Sequence, residues 1–162
     1  MMKEIEHKYL INKEKYPPFS WETDDLTSIT QVYALGLRFR QTFDVMGFGN
    51  TNKSYLTYKG KASASGLSRT EIEFRIPNFL FSIVNLFSTK RVRKSRRVID
   101  TGYHRIEVDH FHEPAFVKGM ILAEIEVPSE THLVVKPDWL GEEVTGNKNY
   151  DNYTIALQGK KK

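Results

Sequence analysis

The sequence predicts a mainly β fold of the α+β class, an antiparallel sheet closed into a barrel around a charged interior. Two observations carry this. Most of the 162 residues fall into strand-like segments, with few stretches of helical character. In segment after segment, charged residues recur at i and i+2 with mostly apolar residues between them. A run of strands with few helices argues an antiparallel sheet, and a charged lining argues its closure. An open sheet with a salt-bridged outer face fits the same alternation. The chain shows no fixed-period repeat and no dividing linker, so residues 1–162 read as one domain.

The elements follow in order. Residues 3–11 alternate through Glu4-Ile5-Glu6-His7-Lys8 and break at Pro17-Pro18. Side chains two apart share one face of a strand, so Glu4, Glu6 and Lys8 point together. Residues 26–41 hold two β-branched and aromatic runs, with Gly36 as a bulge or turn between them. Arg38-Phe39-Arg40 repeats the alternation there. Residues 46–52 form a glycine-rich linker to a strand over 54–59, which carries Lys59. The small, polar stretch 60–68 reads as a loop. Arg69-Thr70-Glu71-Ile72-Glu73 opens a strand that stops at Pro77.

The best helix spans 78–89, with Phe79, Ile83, Leu86 and Phe87 at helical spacing and Pro77 suited to its entry. Its Phe79, Phe81 and Phe87 read as core packing. Strands follow at about 92–99, 103–111 and 120–127. They carry Lys94-Ser95-Arg96, Arg105-Ile106-Glu107-Val108-Asp109 and Glu124-Ile125-Glu126. Short helices are expected within 137–144 and 150–157.

Composition narrows the chemistry. Hydrophobic content of 40% and charged content of 27% exclude wholesale disorder. With no cysteine, disulfides, thiolate metal sites and cysteine nucleophiles are excluded. The net charge of +4 is swollen by Lys160-Lys161-Lys162. No stretch reaches a membrane-spanning length and the start is charged, so a cytoplasmic location without a membrane partner is expected.

Glu4 and Glu6 on one strand face lie about 6.6 Å apart. Their repulsion at an effective dielectric near 20 is about 2.5 kcal/mol. The pairs Glu71/Glu73, Glu107/Asp109 and Glu124/Glu126 repeat that cost, so cations must sit among them. Clustered carboxylates without cysteine suit Mg²⁺ or Mn²⁺. Lys8, Arg38, Arg40, Lys59, Arg69, Lys94, Arg96 and Arg105 are the available bases, and arginine forks match phosphate oxygens. Acids for metal beside bases for phosphate describe a polyphosphate–metal site.

The segments carry a resemblance. "EIEHKYLI" at 4–11 resembles the ExExK opening of the CYTH domain of triphosphate tunnel metalloenzymes. It is followed in family order by "LRFRQ" (37–41), "YLTYKGK" (55–61), "SRTEIEF" (68–74), "KSRRVI" (94–99), "IEVDHF" (106–111) and "LAEIEVPSE" (122–130). "WLGEEVTGNKNYDNY" at 139–153 resembles the closing segment. The resemblance covers nearly the whole chain. It implies a closed eight-stranded antiparallel β-barrel tunnel with a few helices packed outside. Lys8, Arg38, Arg40, Lys59, Arg69, Lys94 and Arg96 would hold triphosphate oxygens. Glu4, Glu6, Glu124 and Glu126 would bind Mg²⁺ or Mn²⁺, and Glu71 and Glu73 would orient bases or bind a second ion. Lys8, Lys94 and Glu6 are the catalytic candidates. Arg105, Glu107 and Asp109 face inward by alternation, in supporting or chemical roles.

The implied activity is hydrolysis of a linear triphosphate, foremost inorganic tripolyphosphate. Class IV adenylyl cyclase and thiamine triphosphatase are alternatives within the superfamily, and a non-catalytic polyphosphate-binding module lies outside enzymology. A small-molecule triphosphate is the expected partner rather than nucleic acid, and a homodimer is compatible with the sequence. His7 stands where relatives usually carry Arg, and alternation turns it away from Glu4, Glu6 and Lys8. In the basic run 90–97, Lys94 and Arg96 are assigned inward and the outward members to a solvated edge strand. His104, His110, His112 and His132 lack zinc spacing and read as surface residues. Gly47-x-Gly49 reads as a turn. Tyr150 and Asn152 are suggested to close one tunnel end.

Overall fold

The computed structural model describes residues 2–18, 25–45 and 52–159. Its strands are β1 (Met2–Ile11), β2 (Asp25–Ala34), β3 (Leu37–Asp44), β4 (Lys53–Ala62), β5 (Ser68–Ile76), β6 (Arg91–Asp100), β7 (Arg105–Glu113), β8 (Ile121–Glu126) and β9 (Leu140–Glu143). Helix α1 spans Asn78–Phe87 and helix α2 spans Asn152–Gly159. The sheet runs β5-β4-β3-β2-β6-β7-β8-β1, and a further β1–β5 pairing closes it into an eight-stranded barrel. Every pairing is antiparallel.

Strand β1 makes closure possible because its two halves have different neighbours. Residues 6–10 pair with β8, residues 2–5 pair with β5, and Tyr9 and Ile11 pair with β9. Closure removes the unpaired edges that an open sheet would leave. The β2–β3 hairpin turns at Leu35-Gly36, with φ of 52° and 76°. Such a two-residue turn with positive φ matches the strand twist.

The apolar core lies outside the barrel and at one of its ends. Outward residues of β1, β7 and β8, including Ile5, Tyr9, Ile106, Val108 and Ile125, are covered by Tyr16, Val134, Trp139 and Leu140. A second cluster fills one end. Val92, Phe111 and Leu122 share the inward phase of Lys94, Asp109 and Glu124 one step further along β6, β7 and β8. There they meet Ile155 and Ala156 of α2, all essentially buried. Burying each large apolar side chain contributes about 1.5–3 kcal/mol, which favours a sealed end over a through-tunnel.

Several expectations are corrected. Of the helix aromatics, Phe81 is buried while Phe79 and Phe87 are exposed, so they are not core. Asn78, Ser82 and Asn85 share one side of α1, the rest is apolar, and the predicted stripe of Phe79, Ile83, Leu86 and Phe87 faces outward. Residues 140–143 form strand β9 rather than a helix, because β1 offers a free edge beyond its contact with β5. A 3₁₀ turn at Lys148–Tyr150 precedes α2, which starts at Asn152. Strand β6 is not an edge strand, since β2 and β7 pair on both its sides. Its outward Arg93 meets Glu113 at 3.3 Å, and Arg97 donates to the carbonyls of Pro17 and Pro18 at 2.8 Å each. The expected linker over 46–52, with Gly47-x-Gly49, lies outside the described residues except for Asn52.

Candidate active site inside the barrel

The barrel encloses a cavity of about 920 Å³. Alternation on seven strands aims charge into it. β1 contributes Glu4, Glu6 and Lys8; β3 contributes Arg38 and Arg40; β4 contributes Lys59; β5 contributes Arg69, Glu71 and Glu73. From β6 come Lys94 and Arg96, from β7 Glu107, and from β8 Glu124 and Glu126. On β6 it is Lys94 and Arg96 that line the cavity, and a bulge on β7 sets Arg93 opposite Glu113 and Lys94 opposite Phe111.

Two sequence candidates do not line the cavity. Asp109 is buried behind it, in contact with Lys94 and accepting from Arg96 Nε and Nη2 at 2.8 Å each. Arg105 is exposed at the first residue of β7, opposite Asp100. Its inward phase falls beyond the cavity, where the strand end meets solvent.

The lining is an ion-pair lattice. Lys8 Nζ lies 2.9 Å from Glu124 Oε1 and 3.5 Å from Glu6 Oε1. Arg38 donates to Glu71 at 2.7 Å and to Thr57 at 3.1 Å, and Arg40 donates to Glu73 at 2.7 Å. Lys59 bridges Glu4 at 2.9 Å and Glu71 at 2.7 Å. Arg96 contacts Glu107 and donates to Glu124 at 2.9 Å. Arg69 stands opposite Glu4 in register, yet no carboxylate among the described residues pairs with it.

Burial and charge set the protonation states. Burial opposes the charge on Lys8, but Glu124 and Glu6 overcome it and raise its pKa. Burial raises Glu4 to about 7 despite the pull of Lys59. Glu71 is lowered to about 2: burial opposes its ionisation, but a hydrogen bond from Glu4 and the charges of Arg38 and Lys59 prevail. Of the two carboxyls, Glu4 is therefore the more readily protonated and Glu71 the one that stays ionised. Burial lowers the Lys94 pKa, with Asp109 resisting. Glu126 is raised by burial and then by Glu107 and Glu6, which stand nearby without a base of its own.

This donor set suits a hard divalent cation. Glu6 faces Glu126 across β1–β8, and Lys8 faces Glu124 next to them. Among the described residues, no three acids or histidines are already gathered as a metal centre, because the bases hold several of the carboxylates. The chemistry still fits, since Glu126 has no ion pair among the described residues and Glu6 only a long one to Lys8, so carboxylate oxygens stand together where β1 meets β8. Charge balance points the same way. Seven bases (Lys8, Arg38, Arg40, Lys59, Arg69, Lys94, Arg96) face eight acids (Glu4, Glu6, Glu71, Glu73, Glu107, Glu124, Glu126, Asp151) on the lining. A polyphosphate entering alone would find no net positive field, so added cations are needed to hold it.

The structure adds residues that a charge pattern overlooks. Gln31 and Tyr33 project inward from β2, where Tyr33 donates to Gln31 at 3.2 Å. Their phase matches the charged strands, but neutral side chains gave no signal. Asp151, Asn152 and Tyr153 form the floor at the start of α2, outside any strand alternation, and Tyr150 packs in the end cluster below. His7 points away and meets Glu143 at 2.8 Å. None of the other four candidate histidines reaches the cavity.

No model of a known family matches the chain. It is 32% identical to an inorganic triphosphatase of Acetivibrio thermocellus, covering 96% of this chain and 94% of that protein. It is 29% identical to an inorganic triphosphatase of Nitrosomonas europaea, covering 96% and 98%. A crystal structure of an inorganic triphosphatase superposes with a TM-score of 0.63 at 23% identity, over 97% of this chain and 96% of that one, a likeness of fold.

Proposed function

This chain belongs to the inorganic triphosphatase family, within the CYTH or triphosphate tunnel metalloenzyme superfamily, and from that premise we propose that it hydrolyses inorganic tripolyphosphate to pyrophosphate and phosphate. The observation that carries this reading is the set of seven bases from five strands facing one cavity. Arg38, Arg40, Lys59, Arg69 and Arg96 bind non-bridging phosphate oxygens, and the arginine forks fix the chain's direction by bidentate contact. Lys8 and Lys94 place positive charge on the phosphoryl group that accumulates charge during transfer. Glu71 and Glu73 hold Arg38, Arg40 and Lys59 in position, and Glu107 and Asp109 do so for Arg96 and Lys94. Glu6, beside Lys8, is positioned to take a proton from water.

Glu4, Glu6, Glu124 and Glu126 would hold Mg²⁺ or Mn²⁺, whose chemistry is to neutralise phosphate oxygens and favour hydroxide. The end sealed by the apolar cluster beneath the floor leaves substrate and products the same mouth. Among the described residues no helix is long and apolar enough to cross a membrane, and we place the reaction in the cytoplasm.

The test incubates purified protein with tripolyphosphate, ATP or thiamine triphosphate plus Mg²⁺ or Mn²⁺ and identifies the products. Phosphate and pyrophosphate from tripolyphosphate are expected. Cyclic AMP from ATP, or binding without products, would replace the proposal. Glu4→Gln and Lys8→Ala, both folded, should collapse turnover, and near-normal release by both rejects the site.

A further inference from the structure

The cavity is blind at the α2 end, and the register of the strands shows what stands there. One inward step from the apolar Leu10 and Leu122 lie Lys8 and Glu124. One step from Val92 lies Lys94, whose ammonium is 5.5 Å from the centre of the Phe111 ring. Lys8 and Lys94 are therefore the innermost bases of β1 and β6, and each has its own carboxylate, Glu124 and Asp109. Beside them the floor adds Asp151, a further carboxylate lining the cavity from the start of α2.

Asp151 has no base of its own. Among the described residues no Lys or Arg comes within ion-pair distance of it. It immediately precedes α2, yet its side chain accepts no hydrogen bond from the first N–H groups of that helix. Its backbone is firmly held, with the N–H donating to the Lys148 carbonyl at 3.1 Å and the carbonyl accepting from Ile155 at 2.9 Å. Tyr153 packs edge-on against Tyr33, 5.4 Å between ring centres, and Ile155 and Ala156 are fully buried in the sealed end. The charge of Asp151 reaches the lining. Burial raises the Tyr33 pKa, Arg38 opposes the rise and Asp151 adds to it. Burial opposes the charge on Lys8, and Glu124 and Glu6 sustain it with help from Asp151.

Resting on the triphosphatase reading of this cavity, we propose that Asp151 is its depth stop. It is a specificity-determining residue that keeps the leading phosphate level with Lys8 and Lys94, and so sets which phosphoanhydride bond is cut. With one end sealed, a linear phosphate chain enters end first through the single mouth. The positive end of α2 would by itself draw the leading phosphate down to the floor, because free N–H groups and the helix dipole favour anions. A carboxylate at that point cancels the attraction and repels the phosphate. The other use for a carboxylate here is as a metal ligand. The nearby Lys8 ammonium disfavours a divalent cation at the floor, and Glu6 faces Glu126 one step nearer the mouth.

The test is Asp151→Asn, which keeps the size of the side chain and removes its charge. Initial products from linear tripolyphosphate and tetrapolyphosphate, with Mg²⁺ or Mn²⁺, are resolved by ion chromatography. Wild type should cut tetrapolyphosphate at its end bond, giving phosphate and tripolyphosphate first. Asp151→Asn should admit the chain one phosphate further and hydrolyse the middle bond to two pyrophosphates, in a share roughly tenfold above wild type. On tripolyphosphate its KM and kcat should both fall roughly tenfold, and inorganic phosphate should inhibit at roughly tenfold lower concentration. Asp151→Ser, also uncharged, should behave alike, and Asp151→Glu should keep the wild-type first products. Unchanged first products and KM in both uncharged variants overturn the depth stop, whether or not their melting moves. A higher metal requirement in those variants also overturns it and assigns Asp151 to the ion. Wild type that leaves tripolyphosphate intact refutes the triphosphatase reading itself, and the stop with it.

Discussion

Asp109→Asn isolates what holds the inner bases. Asp109 is 1% exposed, contacts the fully buried Lys94 ammonium and accepts two bonds from Arg96. Removing its charge leaves Lys94 buried with no adjacent carboxylate, while Arg96 keeps Glu107 and Glu124. Breaking a buried pair in this way costs about 3–5 kcal/mol. In a chain of this size each kcal/mol lowers the melting temperature by about 2–4 °C, so a fall of roughly 6–20 °C is expected. The sign of the pH dependence follows from Lys94. Burial lowers its folded pKa below the ordinary 10.5, so folding favours the neutral amine and stability from this group grows as pH rises. Loss of Asp109 strengthens that tendency, and the deficit should narrow from pH 7 toward pH 10. Thermal unfolding of wild type and Asp109→Asn across that range measures it. A variant melting within 1 °C of wild type at pH 7 would refute the buried-pair reasoning. Lys94→Met offers the contrast: Asp109 retains Arg96, so stability falls less while activity is lost.

Three further outcomes are expected. Glu4 has a folded pKa of about 7 against an ordinary 4.5, so its contribution to stability is complete below pH 4.5 and is lost as pH rises through 7. Glu71, lowered to about 2, loses its contribution only in strong acid and does not enter that window. Metal-free wild type should therefore lose more stability than Glu4→Gln between pH 4.5 and 7.5, and superimposable profiles would sink the reading of a raised Glu4. Arg69→Ala removes a lining base that no described carboxylate engages, so kcat/KM should drop roughly 10- to 100-fold through the loss of one charge-assisted contact, with melting unchanged within 2 °C. Chelation should abolish phosphate release, and Mg²⁺ or Mn²⁺ should restore it. The far-UV circular dichroism should not move, because strand pairing closes the barrel without the ion.

Much of the lining was legible because a strand enforces a period of two. Once Glu4, Glu6 and Lys8 were assigned to one face of β1, the same rule aimed Arg38/Arg40, Glu71/Glu73, Lys94/Arg96 and Glu124/Glu126 together. The rule fails at strand ends, as Arg105 shows, and it is silent about neutral lining residues such as Gln31 and Tyr33. It also could not separate roles within the inward set, where Asp109 lies behind the cavity and Glu107 on it.

The alternation of charged and apolar residues by itself determined a sheet with one ionic face, because side-chain direction in a strand depends on local geometry alone. Long-range contacts decided the rest. Pairing of β1 with β5 turned that face inward, docking of Ile155 and Ala156 sealed one end, and the free edge of β1 drew residues 140–143 into a strand. Which side of α1 met the barrel was also settled there, since its apolar face is wide enough that spacing alone does not say which part of it is buried.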